Sequence, residues 1–319
     1  MSAGPDYKGR TKMGPKPVLK KLGVISPKLG EMTPFVYKNH LCYIKTNWKG
    51  KDDAGNVLVN GFVFDETDRI KHAEFGEGCR FMSGYCEDDR VYGIGTIDNK
   101  IYFHVSEDLD HWSSYLALEM PEKFMLFNTS LCKGAYEDGS PRYILAFECA
   151  RAYDAWSEDL DPDIGAPFTE FFAESSDLVH WNVLPYETAY AKDRYVACPV
   201  IRYVDGFYYM ICLEQLPLFR FAPYIYRTQD FLNWEIGIHN PVLMFDEDDR
   251  KPAEGYSFTP EEMEYITTYV NINDCDVDLC EFEGKTYVYY MTGNQLGGGV
   301  DCKAVYDGPM SEFLKAWFV

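Results

Sequence analysis

The stretch "SEDLDHW" at residues 106–112 returns as "SSDLVHW" at 175–181 and as "TQDFLNW" at 228–234. Each copy follows a short aromatic run, "KIYFHV", "TEFFAE" or "YIYR", of the kind that suits a β-strand. Upstream of each lies a second aromatic run, "DRVYGIGT" (89–96), "RYILAFE" (142–148) and "GFYYMICLE" (206–214), with a third apolar stretch before that. The repeating unit is therefore a meander of three or more antiparallel strands. Within it the aspartate is placed to cap the turn after the third strand, and the tryptophan to wedge a large ring between adjacent outer strands.

Two more copies lack the tryptophan but keep strand, polar turn and aromatic strand. They are "TPFVYKNHLCYIKTN" with "NGFVFDET" (33–67) and "DVDLCEFEGKTYVYYMTGN" with "CKAVYDGP" (276–309). Five copies at this spacing predict an all-β, five-bladed β-propeller. The expected organisation is an N-terminal extension over 1–30 and one propeller domain over 31–319. Helix is scarce: Thr259 and Pro260 suit the start of one at 259–269, and 309–318 suits another.

The formal charge of −21 comes from 51 acidic against 30 basic residues and leaves no basic stripe for a phosphate backbone. Nucleic acid and anionic membrane surfaces are thus not the expected partners, and oligomeric state is not readable. No apolar window reaches the length that spans a bilayer, and the first residues carry basic side chains without an apolar core, so a cytoplasmic location is expected. The ten cysteines contain no Cys-x-x-Cys pair and read as reduced and buried.

In a propeller the start of each blade's first strand and the end of its second meet at one mouth of the central tunnel. That rule gathers Glu31, Thr33, Asn47, Arg80, Thr96, Asn128, Glu148, Cys198, Glu214, Asp274, Asp276 and Asn294. Carboxylates dominate the set, although their strands are otherwise apolar, and burial raises a carboxyl's pKa. Paired carboxyls, one protonated and one ionised, are what hydrolysis of a glycosidic bond requires. Asp276 is read as the ionised member, and Glu148 and Glu214, each ending an apolar strand, as candidates for the acid, with Glu31 in reserve.

Expected substrate contacts come from Glu31, Thr33, Trp48, Arg80, Asn128, Arg194, Asp274 and Asn294, with Trp48, Tyr85 and Trp156 available to stack on a sugar ring. Two competing readings stand beside this one. Glu148 or Glu214 could pair with Arg80, Arg151, Arg194 or Arg220 to hold loops. Asp274, Asp276 and Asp278, alternating on one strand face, could hold a structural divalent cation, although no cofactor or catalytic metal is required.

The blade phrase, the "CPVIRYVDGFYYM" unit and the "DVDLCEFEGKTYVYY" unit resemble the five-bladed propeller glycosidases, glycoside hydrolase family 43 and its relatives 32, 62, 117 and 130. The resemblance spans about residues 31 to 309. It implies an inverting hydrolase using an aspartate base on the first blade, a tuning aspartate and a glutamic acid. The chain departs from that pattern: Thr33-Pro34 stands where Asp-Pro usually opens the first blade, and Cys198-Pro199 stands at the matching place in the fourth unit. Counting back from the turn glycines Gly206 and Gly284 puts Asp276 in the same column as Cys198. The expected activity is hydrolysis of an oligosaccharide or polysaccharide fragment. The alternatives are a non-catalytic carbohydrate-binding propeller and a glycoside phosphorylase, the latter disfavoured by the acidic excess.

Overall fold

In the computed structural model, which describes residues 14–151, 168–294 and 298–319, five four-stranded antiparallel sheets form the blades of a propeller. Blade one runs through Met32–Tyr37, His40–Lys51, Val57–Asp65 and Ile70–Phe75, and blade two through Arg80–Glu87, Arg90–Ile97, Lys100–Ser106 and Ser113–Glu119. Blade three comprises Phe124–Ala135, Pro141–Arg151, Thr169–Ser175 and Asn182–Val183; blade four comprises Val196–Val204, Phe207–Leu216, Arg220–Thr228 and Glu235–Ile236. Blade five has Asn273–Phe282, Lys285–Gly293 and Gly299–Tyr306, and its outer strand is Lys20–Ser26 from the other end of the chain.

That outer strand corrects the reading of 1–30 as an extension. Lys20–Ser26 pairs antiparallel with Gly299–Tyr306 from Lys20 opposite Val305 to Ser26 opposite Asp301, so the first strand closes the ring. A propeller left open at this seam would expose an unpaired strand edge.

The repeated phrase has a uniform local structure. In blade two the Ser106 hydroxyl accepts from the Leu109 amide at 2.8 Å, Asp108 accepts from the amides of Asp110 and His111 at 3.0 and 2.8 Å, and the Trp112 indole donates to the Leu109 carbonyl at 2.9 Å. Leu109, Leu178 and Phe231 all take left-handed backbone conformations at the same point of the turn. Each tryptophan reaches the preceding blade: Trp112 stacks on Phe75 at 3.8 Å, Trp181 lies 5.6 Å from Phe103, and Trp234 lies 5.9 Å from Phe172. His111 and His180 only pair with the capping aspartates in solvent.

Buried apolar residues lie between blades rather than in one central core, as with Ile94, Phe103, Leu145 and Phe147 between blades two and three. Between blades one and two, a Cβ on Gly93 would lie 2.3 Å from the Phe75 ring, so only glycine fits. The helix Pro260–Thr268 begins with the expected Thr259 cap, in a reciprocal capping box with Glu262. The helix Met310–Ala316 ends beside Trp317, which is fully buried against residues of blades four and five. All ten cysteines are free thiols.

Candidate active site

The first strand of each blade lines the axis. In four of them the register with the second strand slips at one level, between Arg80 and Ser83, Leu126 and Thr129, Ala197 and Val200, and Cys275 and Asp278. Such a bulge kinks the strand and re-aims a side chain. Phe81, Cys198 and Asp276 open their bulges with φ of 51°, 56° and 47°, so the column that counting assigned jointly to Cys198 and Asp276 is a structural one.

A small pocket, with a cavity volume of about 30 Å³, sits at this level. Glu31 and Thr33 come to it from blade one, Phe81 and Ser83 from blade two, Asn128 and Thr129 from blade three, Cys198 from blade four, and Asp276 and Asp278 from blade five. Several of these also form its floor. The Ser83 and Thr129 hydroxyls bond at 2.6 Å, and Arg202 crosses from blade four to the Asp278 carboxylate and, at 2.7 Å, to the Leu279 carbonyl.

Glu31 and Asp276 line the pocket, and Glu148 lies just behind its lining residues Asn128 and Cys198. Glu148, at the end of the second strand of blade three, is 3% exposed, and its Oε2 accepts from the Cys198 amide at 2.8 Å and from Asn128 Nδ2 at 3.1 Å. Burial, against those two hydrogen bonds, and the Asp276 charge push its pKa up to about 8. Glu31 also rises to about 8, through burial and then Asp276, with a smaller contribution from Asp301; the Thr46 hydroxyl and the Trp48 indole pull the other way. Asp276 is itself raised by burial, opposed by hydrogen bonds from the Cys198 and Cys275 thiols. The Cys198 residue thus links two acids, its amide holding Glu148 and its thiol touching Asp276. Behind Glu148, directly opposite it on the next strand, lies the fully buried Glu170, which burial and then the Glu148 charge push well above the usual carboxylate range.

Glu214, read from the sequence as an acid candidate, is elsewhere. Both of its oxygens are held by Arg194, at 3.0 and 2.9 Å, and Tyr226 donates to one of them, so Arg194 is committed to an ion pair and not to substrate. Pairing explains the displacement. The bulges of blades three and four face Glu148 and Cys212, so Cys212 is the equivalent of Glu148 and Glu214 lies two residues farther along. Glu214→Gln is expected to cost about 1.5–3 kcal/mol by weakening charge-assisted bonds, measured by urea unfolding, with kcat within a few-fold of the parent.

Asp274 also lies off the pocket, paired with Lys21 at 3.2 Å, and Asp278 is paired with Arg202. The Asp276-Val277 bulge breaks the alternation on which a shared cation depended and sends the three aspartates to different neighbours. Among the described residues the ligand-type atoms that do converge are those of His40, Asp65 and Asp68, at the opposite end of blade one. Arg80 immediately precedes the lining residue Phe81, and Asn294 follows the second strand of blade five; neither lines the pocket. Tyr85 lines a hollow in the other half of the tunnel, and Trp156 lies outside the described residues.

Trp48 is on the rim, 40% exposed, with its ring 5.8 Å from Phe81. From Phe81 an arc of rings continues through Phe127, Phe168, Tyr195 and Phe221 at spacings of 5.0 to 5.4 Å. Sequence reasoning missed this arc. Its signal was the recurrence of aromatics beside the bulge column, at Phe81 and Phe127.

No family model matches the sequence, and no curated protein matches it. Solved structures do resemble it. One described as a glycoside hydrolase is 13% identical, over 92% of this chain and 93% of that one, with a TM-score of 0.56. The catalytic domain of the Coprinopsis cinerea GH62 α-L-arabinofuranosidase is 8% identical, over 91% and 97%, with a TM-score of 0.57. The Podospora anserina α-L-arabinofuranosidase in complex with cellotriose is 9% identical, over 96% and 94%, with a TM-score of 0.56. At such identities the likeness is one of architecture: the chain has the five-bladed β-propeller fold and shares its overall fold with these glycoside hydrolases.

Proposed function

We propose that the protein hydrolyses a glycosidic bond in an oligosaccharide or polysaccharide fragment, without a redox cofactor, using Asp276, Glu148 and Glu31. The observation that carries this reading is the coupling of three carboxyls at one level of the axis: Glu31 and Asp276 line the pocket, Glu148 is bonded to its lining residues Asn128 and Cys198, and the charge of Asp276 raises the other two. Glu148 is the acid: held by the Cys198 amide and Asn128, it keeps its proton at neutral pH for the leaving oxygen. Asp276 is the ionised member facing the anomeric centre, its charge shared with the Cys198 thiol. Glu31 is a second neutral carboxyl in contact with the sugar, and the exposed Trp48 ring stands at the approach beside Phe81.

The test is a panel of aryl glycosides and oligosaccharides, with and without phosphate. Hydrolysis independent of phosphate supports the reading. Binding without turnover of any member would leave a carbohydrate-binding propeller, and strict phosphate dependence a phosphorylase. For the active substrate, kcat/KM is expected to fall as pH rises through about 8, because Glu148 must be protonated to act and loses its proton there. A rate that keeps rising across that range would remove Glu148 as the acid.

A further inference from the structure

The pocket is charged in one sense only. Glu31 and Asp276 line it together, the charge of Asp276 favouring the protonated form of Glu31, and among the described residues no lysine, arginine or histidine lines it. Three cations near it are already engaged. Lys45 is held by Asp301, the Ser26 hydroxyl and the Lys28 carbonyl, Lys21 by Asp249 and Asp274, and Arg202 by Asp278 and the Leu279 carbonyl. The Oε2 atom of Glu31 is buried and has no hydrogen-bond partner. A buried carboxyl oxygen left without a partner carries the full cost of its desolvation, so a ligand that donates to it gains that cost back.

We infer that the pocket takes a sugar bearing a free, protonated amine, whose ammonium group bridges Glu31 and Asp276. This deepens the glycosidase reading and rests on it. An ammonium carries three donors and one charge. One donor satisfies the orphan oxygen of Glu31 and another reaches Asp276, making two charge-assisted hydrogen bonds as Glu31 gives up its proton. A hydroxyl at the same place can donate only once and brings no charge to ionise Glu31. An acetylated amine has lost the charge and two of the three donors.

The inference has a second signature. Glu31 holds a proton near neutral pH, through burial and the charges of Asp276 and Asp301, and an ammonium beside it favours the ionised carboxylate. Binding of the amino sugar therefore expels a proton, and binding of a neutral sugar does not.

Isothermal titration of the whole protein near neutral pH, with glucosamine and galactosamine against glucose, galactose and N-acetylglucosamine, reads both effects. The expected result is at least about tenfold tighter binding of the free amines, with proton release shown by repeating the titration in buffers of different ionisation enthalpy. Glu31→Gln and Asp276→Asn, each checked for native circular dichroism, are both expected to abolish the preference, and Glu31→Gln to abolish the proton release. Equal binding of amine and parent sugar, or a preference that survives in both variants, overturns the inference while hydrolysis of neutral aryl glycosides keeps the enzymatic reading. Failure of every sugar to bind, with every aryl glycoside inert, overturns both.

Discussion

Asp276→Asn is expected to lower kcat/KM by about 10²–10⁴-fold, the span of a lost acid-base group, with the fold intact. The amide keeps the size of the side chain and can still meet the thiols of Cys198 and Cys275, so packing in the bulge changes little. The charge is what disappears. Since that charge helps hold Glu31 and Glu148 protonated up to about 8, the alkaline limb of the residual activity should move to lower pH. A residue that merely shaped the pocket would cut the rate without moving the limb. Full activity in this variant would exclude Asp276 from the chemistry.

Lys21→Met should be the most damaging single change to stability. The Lys21 side chain is 6% exposed and lies 2.6 Å from Asp249, 3.2 Å from Asp274 and 3.6 Å from Asp246; the Asp249 and Asp274 side chains are fully buried. Methionine fills the space of the stem and leaves two buried carboxylates facing one another. Breaking a buried pair from one side costs about 3–5 kcal/mol, which urea unfolding would read as a lower midpoint with an unchanged slope. Asp274 already sits at about 7 with the lysine present, through burial and Asp249. A carboxyl raised in the folded state stabilises it below the unfolded pKa and loses that contribution as pH rises through the folded value. The variant should therefore recover stability relative to the parent as pH falls from neutral towards the ordinary carboxylate range. A loss that stays constant over that range would rule out the uncompensated aspartates as its cause.

The propeller was legible because its marker is local. The capping hydroxyl, the aspartate and the tryptophan of each blade phrase all bond or pack within a few residues or onto the next sheet, and that geometry needs the same residue types each time. Lys20–Ser26 carried no such marker, because its partner strand lies nearly the whole chain away and no turn connects the two. At the site, Asp276, Glu148, Glu31, Thr33 and Asn128 could be found from the ends of strands alone. Glu214 and Asp274 could not be separated from them by the same rule. Which side chain faces the axis depends on an extra residue in the first strand, and a bulge at a Cys-Pro or Asp-Val step has no fixed sequence signature. The Arg194 clamp on Glu214 was equally invisible, since it spans a loop and a strand whose spacing only the fold determines.

The seam at Lys20–Ser26 also sets an order of events during synthesis. The strand that completes the last blade is made before the other strands of the propeller, and its partner Gly299–Tyr306 is made after them. Blades one to four can each form as their own hairpins emerge, but the ring stays open until that last strand has been made, and contacts of such long range form slowly. Until then two raw sheet edges wait in the cell, and chaperone dependence should concentrate at that last step.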